Sequence, residues 1–284
     1  MPSPMRRGAG ACVSVLACAA LGAPLRAAER PTVASINLCT DQLVLSLADP
    51  AQILSVSWLA ADPEESMLPD AASRFPLNYG NAEELLRYRP DVVVGSAYTN
   101  GPARALLERL GYDVVAVEPA NSIPDIERNL RLVAAAVGRP ERGEQAVESL
   151  RARRRAIEQR RPPEPLGAVV LRPGGFTVGA GSLADRLMAL AGLRNVAAER
   201  GLDRWGSLSM ESLLRADPQV IVLTDYRRRQ ASLANAILQH PAVAAVAARA
   251  VAVHVPSRDW SCGLPDSLGS AELLETSLSR SRAP

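Results

Sequence analysis

The sequence predicts an α/β fold of two similar lobes, each a parallel sheet covered by helices, joined by one long rigid helix. Three observations carry this. First, Glu83-Glu84-Leu85-Leu86-Arg87-Tyr88-Arg89-Pro90-Asp91-Val92-Val93-Val94 returns, at an offset of 128 residues, as Glu211-Ser212-Leu213-Leu214-Arg215-Ala216-Asp217-Pro218-Gln219-Val220-Ile221-Val222. Solenoid repeats recur every ~20–50 residues, so this period marks two lobes with a cleft between them. Second, short apolar runs and helical patterns alternate on both sides of the middle of the chain, as in sheets with helical crossovers. Third, 140–161 has no internal proline and carries Ala146, Leu150 and Ile157 at roughly helical spacing. At ~1.5 Å per residue that helix is a connector about 30 Å long, stiff enough to keep opening and closing small.

In lobe one, Thr32 to Ile36 is a β-branched run ended by the turn-prone Asn37, and Asp41 to Leu47 reads as a helix. Ile53 to Ser57 is a second strand, and prolines at 63, 69 and 76 make 60–79 irregular. Helix 82–88 feeds strand 91–95, helix 102–110 feeds strand 113–117, and helix 125–137 closes the lobe. Pro162-Pro163-Glu164-Pro165 stops the connector. Lobe two then runs strand 167–171, helix 183–191, helix 210–215, strand 219–223, helix 231–238, strand 251–255 and a final helix from about Ser267. The expected divisions are a leader over 1–28, lobes over 29–139 and 162–284, and the connector over 140–161.

The chain has 284 residues and a formal charge of +2, with no lysine among its 32 basic residues. The densest arginine cluster, Arg151 to Arg161, alternates with apolar and acidic residues like a solvated helix face, so nucleic acid is not an expected partner. Arg6 and Arg7 followed by the small apolar run Ala9 to Leu21, with Ala27 or Ala28 as cleavage point, read as an export signal and place the protein in a bacterial periplasm. Cys12 and Cys18 leave with that signal. Cys39 and Cys262 then remain, either as a disulfide or as two free thiols.

Asn81 and Ser209 are N-cap residue types, which puts Glu83 and Glu211 in first turns where the helix dipole favours an acid by ~0.3–1 kcal/mol. One exposed carboxylate per lobe also suits docking on two arginine pockets of a two-fold partner. Tyr98 and Tyr226, again 128 apart, follow equivalent strands at the sheet edge where α/β folds bind ligands; each either covers a ligand or packs on its own loop. Arg172, before Pro173-Gly174-Gly175-Phe176, and Arg258 are candidates to pair with a ligand anion, or are surface arginines. Asn37, Cys39 and Thr40 sit at the mouth of lobe one.

These runs resemble the periplasmic substrate-binding proteins of ABC importers for iron chelates and cobalamin, over roughly Pro31 to the last helix. The resemblance implies a class III architecture of two Rossmann-like lobes. It also implies that Glu83 and Glu211 engage arginines on a permease dimer in the inner membrane. Trp205, Trp260 and Trp58 resemble ligand-facing aromatic positions of that family; Leu77 replaces an expected aromatic, for which Tyr79 substitutes. The implied function is capture of a metal chelate (iron–siderophore or haem) or cobalamin by a monomer with no intrinsic cofactor.

The alternatives are an exported two-lobe enzyme and a solute sensor that serves a receptor. For the enzyme, Gly179-Ala180-Gly181-Ser182-Leu183-Ala184 faintly matches a dinucleotide fingerprint, but no nucleophile elbow or phosphate loop is present. For direct metal capture the chain has only His240 and His254, both read as structural, so no metal site is expected.

Overall fold

A computed structural model describes residues 30–98, 101–224 and 240–282. The leader, Tyr226 and the expected helix 231–238 lie outside them.

Lobe one contains β1 (Val33–Ser35), α1 (Leu38–Leu47), β2 (Ile53–Ser57), α2 (Pro69–Ala72), β3 (Leu77–Asn78), α3 (Ala82–Leu86), β4 (Val92–Ser96), α4 (Gly101–Arg109), β5 (Asp113–Val117) and α5 (Ile123–Ala136). Its five strands are all parallel, in the order β3-β2-β1-β4-β5. Side chains alternate across a strand, so Val33, Val92 and Val94 enter one core with α1 and α5, while Ala34, Ile36 and Val93 pack on Ala82, Leu85 and Leu107 of α3 and α4. A sheet covered on both faces explains the near-continuous valine runs. The direction of the chain switches between β1 and β4, and that point opens towards lobe two.

Two local expectations are corrected. Asn81 holds the N-cap position of α3 but makes no side-chain cap bond; the Glu84 carboxylate instead accepts from the Tyr79 backbone N–H at 2.7 Å. The segment 60–79 is not irregular throughout, since α2 starts on Pro69 and β3 adds an edge strand. At Ser209 the expected cap is present, its hydroxyl accepting from the Ser212 N–H at 3.1 Å.

The connector is α6 (Pro140–Arg160), with Val147, Leu150 and Ile157 fully buried. At Gly143 an added Cβ would lie 2.6 Å from the Cβ of Ala134, so the glycine lets α6 lie directly on α5. Three of the arginines expected to be a solvated face are clamps, while Arg154 pairs within the helix with Glu158 and Arg155 and Arg161 are exposed. Arg151 pairs with Glu127 at 2.8 Å on α5, whereas Arg153 and Arg160 pair with Glu272 at 3.0 Å and Glu275 at 3.1 Å. Each partly exposed pair is worth only ~0–1 kcal/mol, but together they fix one helix against both lobes.

Lobe two contains β6 (Leu166–Leu171), β7 (Phe176–Val178), α7 (Leu183–Leu190), β8 (Leu193–Asn195), α8 (Val196–Glu199), β9 (Trp205–Ser207), α9 (Met210–Ala216), β10 (Val220–Leu223), α10 (Pro241–Ala247), β11 (Val251–His254), α11 (Arg258–Ser261) and α12 (Leu268–Arg282). The parallel order is β11-β10-β6-β8, and β7 pairs with β9 in a separate antiparallel ribbon. Val169, Leu171 and Ile221 pack on Leu213 of α9 and Val243 and Val246 of α10. Ala168, Val170 and Val222 face the core shared with α6, α7 and α12.

Candidate functional site

A cavity of about 530 Å³ lies between the lobes. Lobe one contributes the loops after β1, β4 and β5: Asn37, Cys39 and Thr40, then Ser96 and Tyr98, then 117–121. These are carboxyl ends of strands around the β1/β4 switch point, where the geometry of an open α/β sheet leaves a crevice. Lobe two contributes the start of α7, Arg204 and Trp205 at β9, and the segment from Trp260 to Gly263.

Each part has a local cause. Asn37 caps α1, its side-chain oxygen accepting from the Cys39 N–H at 3.0 Å, so Cys39 is held at the cleft floor. Cys39 is disulfide-bonded to Cys262 with Cα atoms 5.1 Å apart, joining the lobes through that floor. Gly263 follows, and a Cβ there would stand 2.3 Å from the Cβ of Ala120. The 258–263 segment of lobe two is therefore seated on lobe one. Asn129 on α5 is buried, donates from Nδ2 to the Glu118 carbonyl at 2.7 Å, and underlies the β5 loop.

Among the expected residues the cavity brings together Tyr98 and Trp205, both mostly exposed, and Trp260, which is only 7% exposed. Trp58 and Tyr79 do not line it. They follow the carboxyl ends of β2 and β3, towards the β3 edge of the lobe-one sheet, with ring centroids 6.2 Å apart. Arg258 is also outside the lining: its guanidinium donates to the Pro63 carbonyl across the lobe boundary and lies 3.5 Å from Asp259. Arg172 stacks on Trp205, with 5.3 Å from guanidinium carbon to ring centre, and donates to Ser257 Oγ at 3.1 Å. Burial alone holds its pKa below the usual arginine range.

Glu83 and Glu211 are exposed in the first turns of α3 and α9; Glu211 pairs with Arg215 at 2.9 Å one turn on. Sequence reasoning missed Arg204 and the β5 loop. The β5 loop had a signal, since every loop after a strand of the sheet opens on the same edge. Arg204 had none, because its backbone takes φ 50°, a left-handed turn value that nothing at an arginine announces.

Asp41 lies beneath the floor. It is fully buried, accepts from the Ser57 N–H at 3.1 Å and from the Ser57 hydroxyl, and burial pushes its pKa up to about 6. The glycine turn before α7 is not a phosphate cradle. The Asp185 carboxylate already accepts from the Gly181 N–H at 3.3 Å, and Ser182 caps the helix, so an acid stands where a pyrophosphate would need bare N–H groups. No group of three or more His, Cys, Asp or Glu side chains among the described residues could hold a metal ion. No helix among them is long and apolar enough to cross a membrane.

Two α/β lobes on one rigid helix, with an aromatic cleft at their strand ends, define a solute-binding protein. The chain belongs to the periplasmic binding protein family, whose profile matches residues 33–253. A vitamin B12-binding protein of Salmonella choleraesuis is 31% identical over 147 residues, 50% of this chain and 54% of the relative. A vitamin B12-binding protein of Pectobacterium atrosepticum is 26% identical over 212 residues, 66% and 74% of the two chains. The chain thus spans about half the length of the first curated relative. Among solved structures, a periplasmic heme-binding protein of Roseiflexus sp. RS-1 in apo form superposes with a TM-score of 0.73 at 21% identity, covering 87% of this chain and 98% of that one. The periplasmic vitamin B12 binding protein of Vibrio cholerae gives 0.68 at 18%, covering 90% and 99%. At such identities the likeness establishes the fold.

Proposed function

We propose that the protein is the solute-binding component of an ABC importer, exported to the periplasm, and that it captures a metal-bearing macrocycle, haem or a cobalamin-like corrinoid, between its lobes. The observation that carries this reading is the pairing of Trp205 with Trp260 and Tyr98 in one inter-lobe cavity. Aromatic faces cover a flat ring system, and a ligand that brings its own metal donors needs no metal cluster from the protein. The relatives that bind vitamin B12 and heme support the same ligand class.

Delivery to the membrane falls to Glu83 and Glu211. Both are exposed, and each leads a helix that feeds a central strand of its own lobe, so they present one carboxylate per lobe to a two-fold permease. The protein acts as a monomer, carries no cofactor of its own, and releases its cargo to that partner. The test is a titration of the purified protein with hemin and with cyanocobalamin, followed by quenching of tryptophan fluorescence. Saturable one-site binding of either supports the reading, and no binding of either contradicts it.

A further inference from the structure

The loop after β5 forms part of the lobe-one wall of the cavity, and it is held from three sides. Asn129 of α5 donates from Nδ2 to the Glu118 carbonyl at 2.7 Å. The Asp125 carboxylate, in the first turn of the same helix, accepts from the Asn121 N–H at 3.1 Å. Gly263 of lobe two is seated on Ala120, so closely that a Cβ on the glycine would stand 2.3 Å from the alanine Cβ. The loop so fixed presents Glu118, which lines the cavity, is exposed, and makes no side-chain hydrogen bond or ion pair among the described residues. Among the described residues of the lining Glu118 is the one acid, and Arg204, on the opposite lobe, is the one base.

Three other polar side chains of this wall are engaged within their own loops. Asn37 Oδ1 accepts from the Cys39 N–H at 3.0 Å, the Thr40 hydroxyl donates to the Asn37 carbonyl at 2.9 Å, and Ser96 Oγ accepts from the Tyr98 N–H at 3.3 Å. Asn129 differs from them. It lines the cavity and is only 3% exposed, yet with Nδ2 spent on the Glu118 carbonyl its Oδ1 has no hydrogen-bond partner among the described residues. Buried acceptors are almost always paired, so one left over beside a cavity marks a place for a donor that the fold does not supply. Two acceptors without donors, Asn129 Oδ1 and the Glu118 carboxylate, therefore belong to one stretch of wall. A solute that fills the cleft takes the carboxylate out of water, and that cost is recovered only if the solute brings N–H or O–H groups of its own.

We propose that Glu118 and Asn129 form a hydrogen-bond acceptor subsite on the lobe-one wall, which takes a peripheral carboxamide of a corrinoid and so selects a corrinoid over haem. This rests on the macrocycle reading above and adds which of its two ring systems the cleft prefers. A primary carboxamide offers two N–H donors, and a bond from one of them to a carboxylate is charge-assisted. The polar edge of haem carries propionates, which at neutral pH accept only and repel a second carboxylate. Glu118 is the group that touches the ligand; Asn129 both holds its loop and offers the second acceptor.

The test is a cycle between protein and ligand. Wild type, Glu118→Gln and Asn129→Leu are each titrated by calorimetry at neutral pH with cyanocobalamin, with its b-, d- and e-monocarboxylic acids, in each of which one carboxamide is replaced by a carboxylate, and with hemin; circular dichroism confirms folding. The subsite predicts that wild type binds at least one monoacid, and hemin, at least tenfold more weakly than cyanocobalamin. Both ratios should shrink at least threefold in Glu118→Gln, where the repelling charge is gone, and the monoacid that responds identifies the carboxamide held. Asn129→Leu should shrink the same monoacid ratio, a readout that a loss of stability alone would not move. If wild type binds all three monoacids as tightly as cyanocobalamin, if it prefers hemin, or if the ratios are as large in Glu118→Gln as in wild type, the subsite is wrong while the macrocycle reading stands. If wild type binds none of these ligands, both fall. Glu118 is exposed and its side chain is unbonded among the described residues, so its variant decides the matter should Asn129→Leu misfold.

Discussion

Cys39, in the first turn of α1, is bonded to Cys262, two residues beyond Trp260, so the two lobes share a covalent floor although the cysteines are 223 positions apart. Together with α6 this gives the lobes two attachments. Wide hinge opening is blocked at the floor of the cavity, and the aromatic wall at Trp260 is carried by lobe one as much as by the lobe whose sequence contains it.

A cross-link closing so long a loop restricts the unfolded chain strongly: the chain-entropy relation gives ~4.7 kcal/mol for a 100-residue loop, and native disulfides contribute ~2–5. The double variant Cys39→Ser, Cys262→Ser should lose roughly 2–5 kcal/mol of unfolding free energy. Urea unfolding read by circular dichroism measures it, and an unchanged midpoint would show that α6 and the shared core suffice.

The two tryptophans of the cleft should separate stability from binding. Trp260 is 7% exposed and Trp205 58% exposed. Trp260→Ala should cost roughly 3–5 kcal/mol of stability, as buried aromatic truncations do. Trp205→Ala should leave the melting temperature within a few degrees and weaken ligand binding at least tenfold. Thermal melts and ligand titrations on the same preparations check both.

Glycine packing offers a paired test. Gly263→Ala sets a Cβ against Ala120 and Ile126, an overpacking expected to cost about 1–3 kcal/mol. Gly269 on α12 has nothing within 4 Å of an added Cβ, so Gly269→Ala should stabilise by ~0.5–1 kcal/mol through helix propensity. Chemical denaturation of the two variants should shift in opposite directions.

Asp41 makes stability depend on pH in an unusual sense for a carboxylate. Its folded pKa of about 6 lies above the ordinary 3.8, so between those values the fold holds the proton that the unfolded chain releases. The stabilisation is fully present below about pH 4 and is lost as pH rises through about 6, with a magnitude near 3 kcal/mol at ~1.36 kcal/mol per unit. Asp41→Asn cannot lose a proton. The difference in unfolding free energy between variant and wild type should therefore move in the variant's favour from pH 4 to pH 7. A flat difference would mean Asp41 titrates normally.

Charge reversal of the docking pair, Glu83→Arg with Glu211→Arg, should abolish uptake in cells while changing ligand affinity less than twofold, because neither glutamate lines the cavity. Equal loss of both activities, measured by transport and by fluorescence titration of the folded variant, would contradict that division of roles.

Much of this architecture was legible in the residues, and what was not has physical causes. Strands β2 and β5 lie where their β-branched runs place them, and α6 follows from an uninterrupted helical pattern between prolines. The β7–β9 ribbon was not foreseen: three-residue strands separated by 26 residues carry no periodic signal, and their pairing is decided by tertiary contact. Arg258 and Arg172 look alike as arginines at strand ends, yet the first is consumed by a carbonyl of the other lobe and the second is not. The displacement of Trp58 and Tyr79 from the cavity depends on strand order, which places β2 and β3 beyond β1. Asp41 reads as an ordinary helix acid until Ser57 of the neighbouring strand is seen to cover it.

The claim that one macrocycle is held between the lobes against Trp205 is tested most directly by native mass spectrometry of the protein purified from the cell that makes it. A one-to-one complex with the mass of a metal-bearing macrocycle, depleted in Trp205→Ala, is the predicted result. A bare chain in both preparations, or a retained solute with no ring system, would contradict it.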